Sequence, residues 1–158
     1  MRANGATFVY TPQVLLQGHA FAWRGADGAI DAAARQPARA TIALDADVRP
    51  HEVIVSVDAG VPDRALSRDA RLFVAYVDSG LGSDVKGGEN RGVHLAHDHV
   101  ARTLREAGGF DAMGRLRASA TLARPHEEGT HPTLVAFVQR TANGDVLQAL
   151  ALPLDRCP

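Results

Sequence analysis

The sequence predicts a mainly β protein (α+β overall), a β-sandwich preceded by a β-hairpin and one helix. Two observations carry most of this. Apolar and polar residues alternate in several short runs between positions 41 and 152, the period-2 signature of half-buried strands. An Asn-Gly pair, Asn143-Gly144, separates two such runs and suits the positive backbone angles of a tight hairpin turn. Helix-type spacing gives way to alternation near Pro37, which sets the expected boundary between a segment at 1–37 and a body at 38–158. A chain of 158 residues, 46% apolar and 22% charged, has an ordinary globular composition and buries about 68–70% of its unfolded surface without disulfides or metal. With aromatics at 5%, the core falls to Val, Leu, Ile and Ala.

Taken in order, Ala6 to Gln17 reads as a strand interrupted at Thr11-Pro12, because proline cannot donate to a ladder and sits at an edge, bulge or cis turn. Gly18 turns the chain into a partner strand over 19–23. Asp27 to Gln36 carries Ile30, Ala33 and Ala34 at helical spacing, and Pro37 stops it. Ile42, Leu44 and Ala46 define the next strand; Val53, Val55 and Val57 define another. Leu72 to Val77 is a near-continuous apolar run, the mark of a strand covered on both faces. Leu116, Ala118, Ala120 and Leu122 alternate with Arg115, Arg117, Ser119 and Thr121. The runs 133–140 and 145–152 flank the Asn-Gly turn. The stretch 93–107 fits either a helix, through Val93, Ala96, Val100 and Leu104, or a strand. Because its neighbours need pairing, it is expected to be extended over Leu95–Leu104.

Composition also excludes. A net charge of −1 argues against nucleic acid as a partner, since phosphate affinity rests on clustered Lys and Arg. No apolar run reaches the length of a membrane span. The one cysteine, Cys157, makes neither an internal disulfide nor a Cys-x-x-Cys pair. No secretory signal follows Met1, and no cofactor is expected.

The densest collection of chemically capable residues runs from Gly88 to Arg102. Three of the seven histidines (His94, His97 and His99) lie there beside Glu89, Asn90, Asp98 and Arg102. Glu89, Asn90, His97, Asp98, His99 and Arg102 form the candidate polar site. Two motifs, Tyr10-Thr11-Pro12-Gln13-Val14 with Gly18, and Gly88-Glu89-Asn90-Arg91-Gly92 followed by His97-Asp98-His99-Val100 and Arg102, give the chain a family look. It resembles a family of bacterial and plant proteins of unknown function with a thioredoxin-like amino-terminal half and a β-rich carboxy-terminal half. The resemblance implies that Thr11 and Pro12 form a cis-proline-type strand and that the family is periplasmic or secreted. Its Cys-x-x-Cys segment has no counterpart here, so redox chemistry does not carry over.

Each candidate stands beside an ordinary reading. Histidines at i and i+2 of a strand share a side, so His97 and His99 are the candidate metal ligands. Two histidines do not make a site, and the ordinary reading has His97 and Asp98 bonding nearby loops; no metal is assigned. Glu89, Asp98 and a histidine suit acid–base work, but no nucleophile with an activating base is visible, and Ser83 lacks a Gly-x-Ser-x-Gly frame. The glycines at 80, 82, 87 and 88 read as turns, lacking the Lys-Ser/Thr of a phosphate loop. His126-Glu127-Glu128 with His131 reads as a solvated loop. Arg115, Arg117 and Arg124 read as the wet face of a strand. The Ala6–Leu16 edge is expected to recruit a second copy or a partner chain. The leading expectation is a non-catalytic binding or interaction module. Its rival is part of a periplasmic thiol-disulfide or metal-handling protein with its cysteines upstream.

Overall fold

The computed structural model describes residues 13–22, 27–126 and 129–155. The elements are β1 (Leu15–Leu16), β2 (His19–Ala20), α1 (Asp27–Ala34), β3 (Thr41–Val48), β4 (Glu52–Gly60), α2 (Arg64–Ser67), β5 (Ala70–Asp78), β6 (Leu81–Asp84), β7 (His94–His97), β8 (Val100–Gly109), β9 (Arg115–Ala123), β10 (Thr133–Arg140) and β11 (Val146–Pro153). The fold is mainly β, as the alternation predicts. A four-stranded sheet ordered β11-β10-β5-β8 faces a three-stranded sheet ordered β3-β4-β9, with every pairing antiparallel. At the sides, β8 runs beside β9 and β11 beside β3.

The core lies between the sheets. Val53, Val55 and Val57 of β4 and Leu122 of β9 meet Leu72, Val74 and Tyr76 of β5 and Leu134, Ala136 and Val138 of β10, all almost completely removed from water. Branched residues at every second position suit a pleated, half-buried surface, so the alternation at 53–57 and 116–122 translates directly into inward and outward faces. The short α2, absent from the expectations, is capped by Asp63, whose carboxylate accepts from the Ala65 N–H at 2.8 Å.

Two expectations need correction. β5 was expected to be covered on both faces. The expectation holds for the second half of the strand, where Val74, Ala75, Tyr76, Val77 and Asp78 are all buried, and fails for the first half, where Arg71 and Phe73 on the side away from the three-stranded sheet are only half-buried. That outer face is apolar: Val135 pairs with Ala151 and Ala75, and Ala75 with Leu104; Phe137 pairs with Ala149 and Phe73. Phe73 and Phe137 stack with centroids 5.2 Å apart, outside the central core. The second correction concerns the Asn-Gly turn. At Asn143-Gly144 only Gly144 has a positive φ, 84°, and the loop spans 141–144, closed by the Arg140 N–H donating to the Asp145 carbonyl. The two-residue turn with both angles positive lies instead between β1 and β2, at Gln17 (φ 52°) and Gly18 (φ 90°). Crowding explains this glycine, since a Cβ on Gly18 would stand 1.8 Å from the Gly144 carbonyl oxygen. The first hairpin is thus seated on the β10–β11 turn, helped by the Val146 N–H donating to the Gln17 carbonyl at 3.1 Å.

Helix α1 covers 27–34 of the expected 27–36, and β2 ends at Ala20 where a strand to 23 was expected. The Thr11-Pro12 segment, residues 6–12 of the Ala6–Leu16 edge, Glu127, Glu128 and Cys157 lie outside the described residues. Of that edge, Val14 and Leu15 are 36% and 49% exposed. Among the described residues no helix is long and apolar enough to cross a membrane.

Candidate functional site

Residues 70–109 form one long antiparallel hairpin with a corner in it. Asp78 of β5 pairs with Val100 of β8, and beyond them Leu81 of β6 pairs with His97 of β7. Only Ser79-Gly80 on one strand and Asp98-His99 on the other interrupt the ladder. Gly80 (φ 66°) and His99 (φ 55°) turn the chain there. Left-handed backbone is open to glycine and uncommon for a side-chain-bearing residue, histidine being among the more tolerant. The expected extension at 95–104 therefore exists, divided at 98–99.

A corner frees backbone groups that the ladder would have paired, and buried ones must find other partners. The Asp98 carboxylate accepts from the Gly80 N–H at 2.9 Å, and the Ser79 hydroxyl accepts from the His99 N–H at 3.0 Å. The Thr130 N–H donates to the Ser79 carbonyl at 2.9 Å. Asp78, wholly buried, accepts from the N–H of Ser79 at 3.2 Å and of Gly129 at 2.7 Å. Gly129 has no room for a side chain: a Cβ there would stand 1.9 Å from the Ser79 oxygen.

Arg102 completes the corner because of a bulge. Tyr76 faces Thr103 while Val77 faces Ala101, leaving Arg102 as the extra residue of β8. On an unbroken ladder Arg102 would oppose Tyr76 and point into the core. A bulge re-aims a side chain, and here the guanidinium comes within 3.6 Å of the Asp78 carboxylate.

Beyond the corner, β6 and β7 make a two-stranded ribbon. Ser83 Oγ and His97 Nε2 are 2.7 Å apart on one face; His94 Nδ1 and Asp84 Oδ1 are 2.8 Å apart on the other. The His94 ring lies over Gly82, whose Cβ would come within 2.8 Å of it. A shallow groove of about 370 Å³, lined by Leu81, Gly82, His97, Val100 and Arg102, runs along the junction.

Of the six expected site residues, Asp98, His99 and Arg102 meet at the corner and His97 lines the groove. Glu89 and Asn90 do not join them. They sit in the exposed loop at the ribbon tip, where the Asn90 carbonyl accepts from the Val93 N–H at 3.1 Å. His97 and His99 do not share a strand face, because β7 ends between them. Among the described residues, no three His, Cys, Asp or Glu side chains gather as a metal site.

Sequence reasoning missed Asp78, Gly129 and the Ser83–His97 contact. A carboxylate closing an apolar strand, immediately before Ser-Gly, was the available signal for the first; the others depend on tertiary approach. Ser83 and His97 stand at nucleophile–base distance. Among the described residues no carboxylate holds the Nδ1 of His97, the part that orients the base in a triad. The arginines expected on a wet strand face are matched locally. Arg117 donates to Asp58 at 2.8 Å, Arg115 lies 3.6 Å from Asp111, and Arg124 donates to the Arg49 carbonyl at 2.8 Å. His131 Nδ1 lies 3.2 Å from Asp155 Oδ2, and His126 faces His51 at 6.4 Å between ring centroids.

The far end of the four-stranded sheet is held by carboxylates too. Asp69 accepts from Arg140 at 3.0 Å and from the Ala142 N–H at 3.2 Å, and the Arg140 bond is the largest cause holding its pKa below the ordinary carboxylate value. Asp145 is lowered first by its 2.5 Å hydrogen bond with His19, then by Asn143 and Arg39.

These features define an antiparallel β-sandwich with a bent hairpin arm, whose polar cluster secures the bend. The chain belongs to a family described as protein of unknown function (DUF1223), which matches residues 1–139. No curated protein matches the sequence. Among solved structures it is similar to HBP35 of Porphyromonas gingivalis, with a TM-score of 0.58 and 12% identity over 82% of this chain and 46% of that one. At that identity the likeness concerns the fold alone. Two structures of a β-glucosidase from Kluyveromyces marxianus match 74% of this chain and 14% of theirs at 11% and 13% identity, with TM-scores of 0.30 and 0.32, too low to support an argument. The chain spans less than half the length of each of these solved proteins.

Proposed function

We propose that this chain is a non-catalytic binding or interaction module in which the corner network fixes the ribbon and shapes the groove beside it. One observation carries the reading: the wholly buried Asp78 is bound to the N–H groups of Ser79 and Gly129. Its hydrogen-bonding capacity goes into backbone, as expected of a positioning group. Asp98 and Ser79 do the same for Gly80 and His99. In this reading Glu89 and Asn90 at the tip, and His97 and Arg102 in the groove, are the surfaces offered to a ligand.

The test is turnover. The whole chain is assayed against simple activated esters beside His97→Ala and Ser83→Ala. No turnover above that of the two variants supports the reading; saturable turnover lost in both overturns it.

The finer parts of the reading are a thioredoxin-like segment at 1–37, a sandwich body at 38–158, association through the Ala6–Leu16 edge and a periplasmic or secreted setting. They are supported by the Leu15–Ala20 hairpin followed by the Asp27–Ala34 helix, the order that the resemblance implies. A Cys-x-x-Cys encoded in frame upstream of Met1 would favour the rival thiol-disulfide reading.

A further inference from the structure

We propose that the outer face of the four-stranded sheet is where two copies of this chain meet, sheet against sheet, in a weak, reversible dimer. An antiparallel sheet ordinarily packs one face and wets the other. Here the inner face is in the core, yet the half-buried Phe73, Val135 and Phe137 and the exposed Leu104 continue an apolar surface on the outside, over the buried Ala75. Leu104 is 56% exposed. The same chain makes a polar outer face on its other sheet, so composition does not explain the apolar one.

A second copy fits as the occupant for three reasons. A flat, twisted apolar sheet is matched best by another such sheet, about 10 Å away, and each copy carries one. The face is close to charge-neutral: Arg71 and Glu106 at its edge pair with each other at 3.4 Å, so a two-fold arrangement need not oppose unpaired like charges. Size is the third. Strands about 4.8 Å apart and residues about 3.3 Å apart make the face about 19 by 17 Å, a footprint of about 320 Å². Two such faces bury about 650 Å², below the roughly 1,000 Å² of a stable specific interface and in the range of a weak, transient one. An interface this small is expected to be reversible, and a dissociation constant on the order of 1–100 µM is the range searched.

This inference is independent of the groove. Sedimentation equilibrium of the whole chain from about 1 to 500 µM, a span set around that constant, tests it. A monomer–dimer equilibrium is expected. Leu104→Glu, at an exposed position, and Phe137→Glu are each expected to weaken it at least about tenfold by burying a charge in the interface. Thr121→Glu on the other sheet is expected to change it less than about twofold. A monomer throughout overturns the proposal. So does a dimer that persists in Leu104→Glu but disappears when residues 1–16 are removed, which would place the contact on the amino-terminal edge. So does a monomer that dimerises only once residues 1–12 are removed, which would make this chain's own segment the occupant.

Discussion

On the outside of the three-stranded sheet, Asp45 pairs across to Ser56 and Ser119, and Asp58 to Arg117. On the outside of the four-stranded sheet the equivalent rows are Ala151, Val135, Ala75 and Leu104, then Ala149, Phe137, Phe73 and, at the edge, Glu106. The ends differ as well. The four-stranded sheet is tied at one end by Asp78 and at the other by Asp69 and Asp145: Asp78 and Asp69 accept from backbone N–H groups, and Asp145 bonds His19. The three-stranded sheet carries ion pairs that lie in water, such as Arg117–Asp58, whose side chains are 85% and 58% exposed. The lesson is a division of labour: one sheet supplies a lid for the core, the other holds the shape and presents surfaces.

The largest effect should come from removing a tie. Asp78→Ala strips two amides and Arg102 of their partner and is expected to cost about 2–4 kcal/mol in urea denaturation followed by circular dichroism. Asp58→Ala, breaking an exposed pair on the other sheet, should leave the midpoint in place; equal losses would break the comparison. Next is Phe73→Ala, expected to cost about 1–2 kcal/mol, below a core phenylalanine because the ring is only partly buried. On the opposite outer face Ile54→Ala should cost under about 1 kcal/mol by the same measurement.

Acid gives a smaller, graded effect. Asp69 and Asp145 have folded pKa values depressed below the ordinary carboxylate value. They therefore contribute stability that is fully present above that value, about 4, and lost as pH falls through their lowered folded values. Unfolding midpoints measured from pH 7 down to about 2.5 should fall below pH 4, and Asp145→Asn should flatten the decline. An Asp145→Asn curve parallel to that of the unsubstituted chain would remove His19–Asp145 from the account. Least of all, Thr121→Lys on the polar outer face should leave the thermal midpoint unchanged.

The sandwich was legible because its strands alternate: Val53, Val55 and Val57 announce an inner face whatever they pack against. The corner was legible only in part. Asp98 and Arg102 stood out as polar residues among strand formers, but Arg102 reaches Asp78 through a bulge on β8, and pairing register is not written in either strand alone. Gly129 is 51 residues from Asp78, beyond any local pattern. The Asn-Gly pair misled for a physical reason as well. Asn143 turns its side chain to the Asp145 N–H at 3.1 Å, favouring a longer loop, while contact with Gly144 selects the two-residue turn at Gln17-Gly18.

The hairpin that bends at Gly80 and His99 also works as a lever. From that pivot the paired ribbon, Leu81–Asp84 against His94–His97, extends on the order of 13 Å, so a 10° change of pivot angle would sweep its end by about 2 Å. Small adjustments among Asp98, Ser79 and Asp78 would thus be read out, magnified, where Glu89 and Asn90 stand.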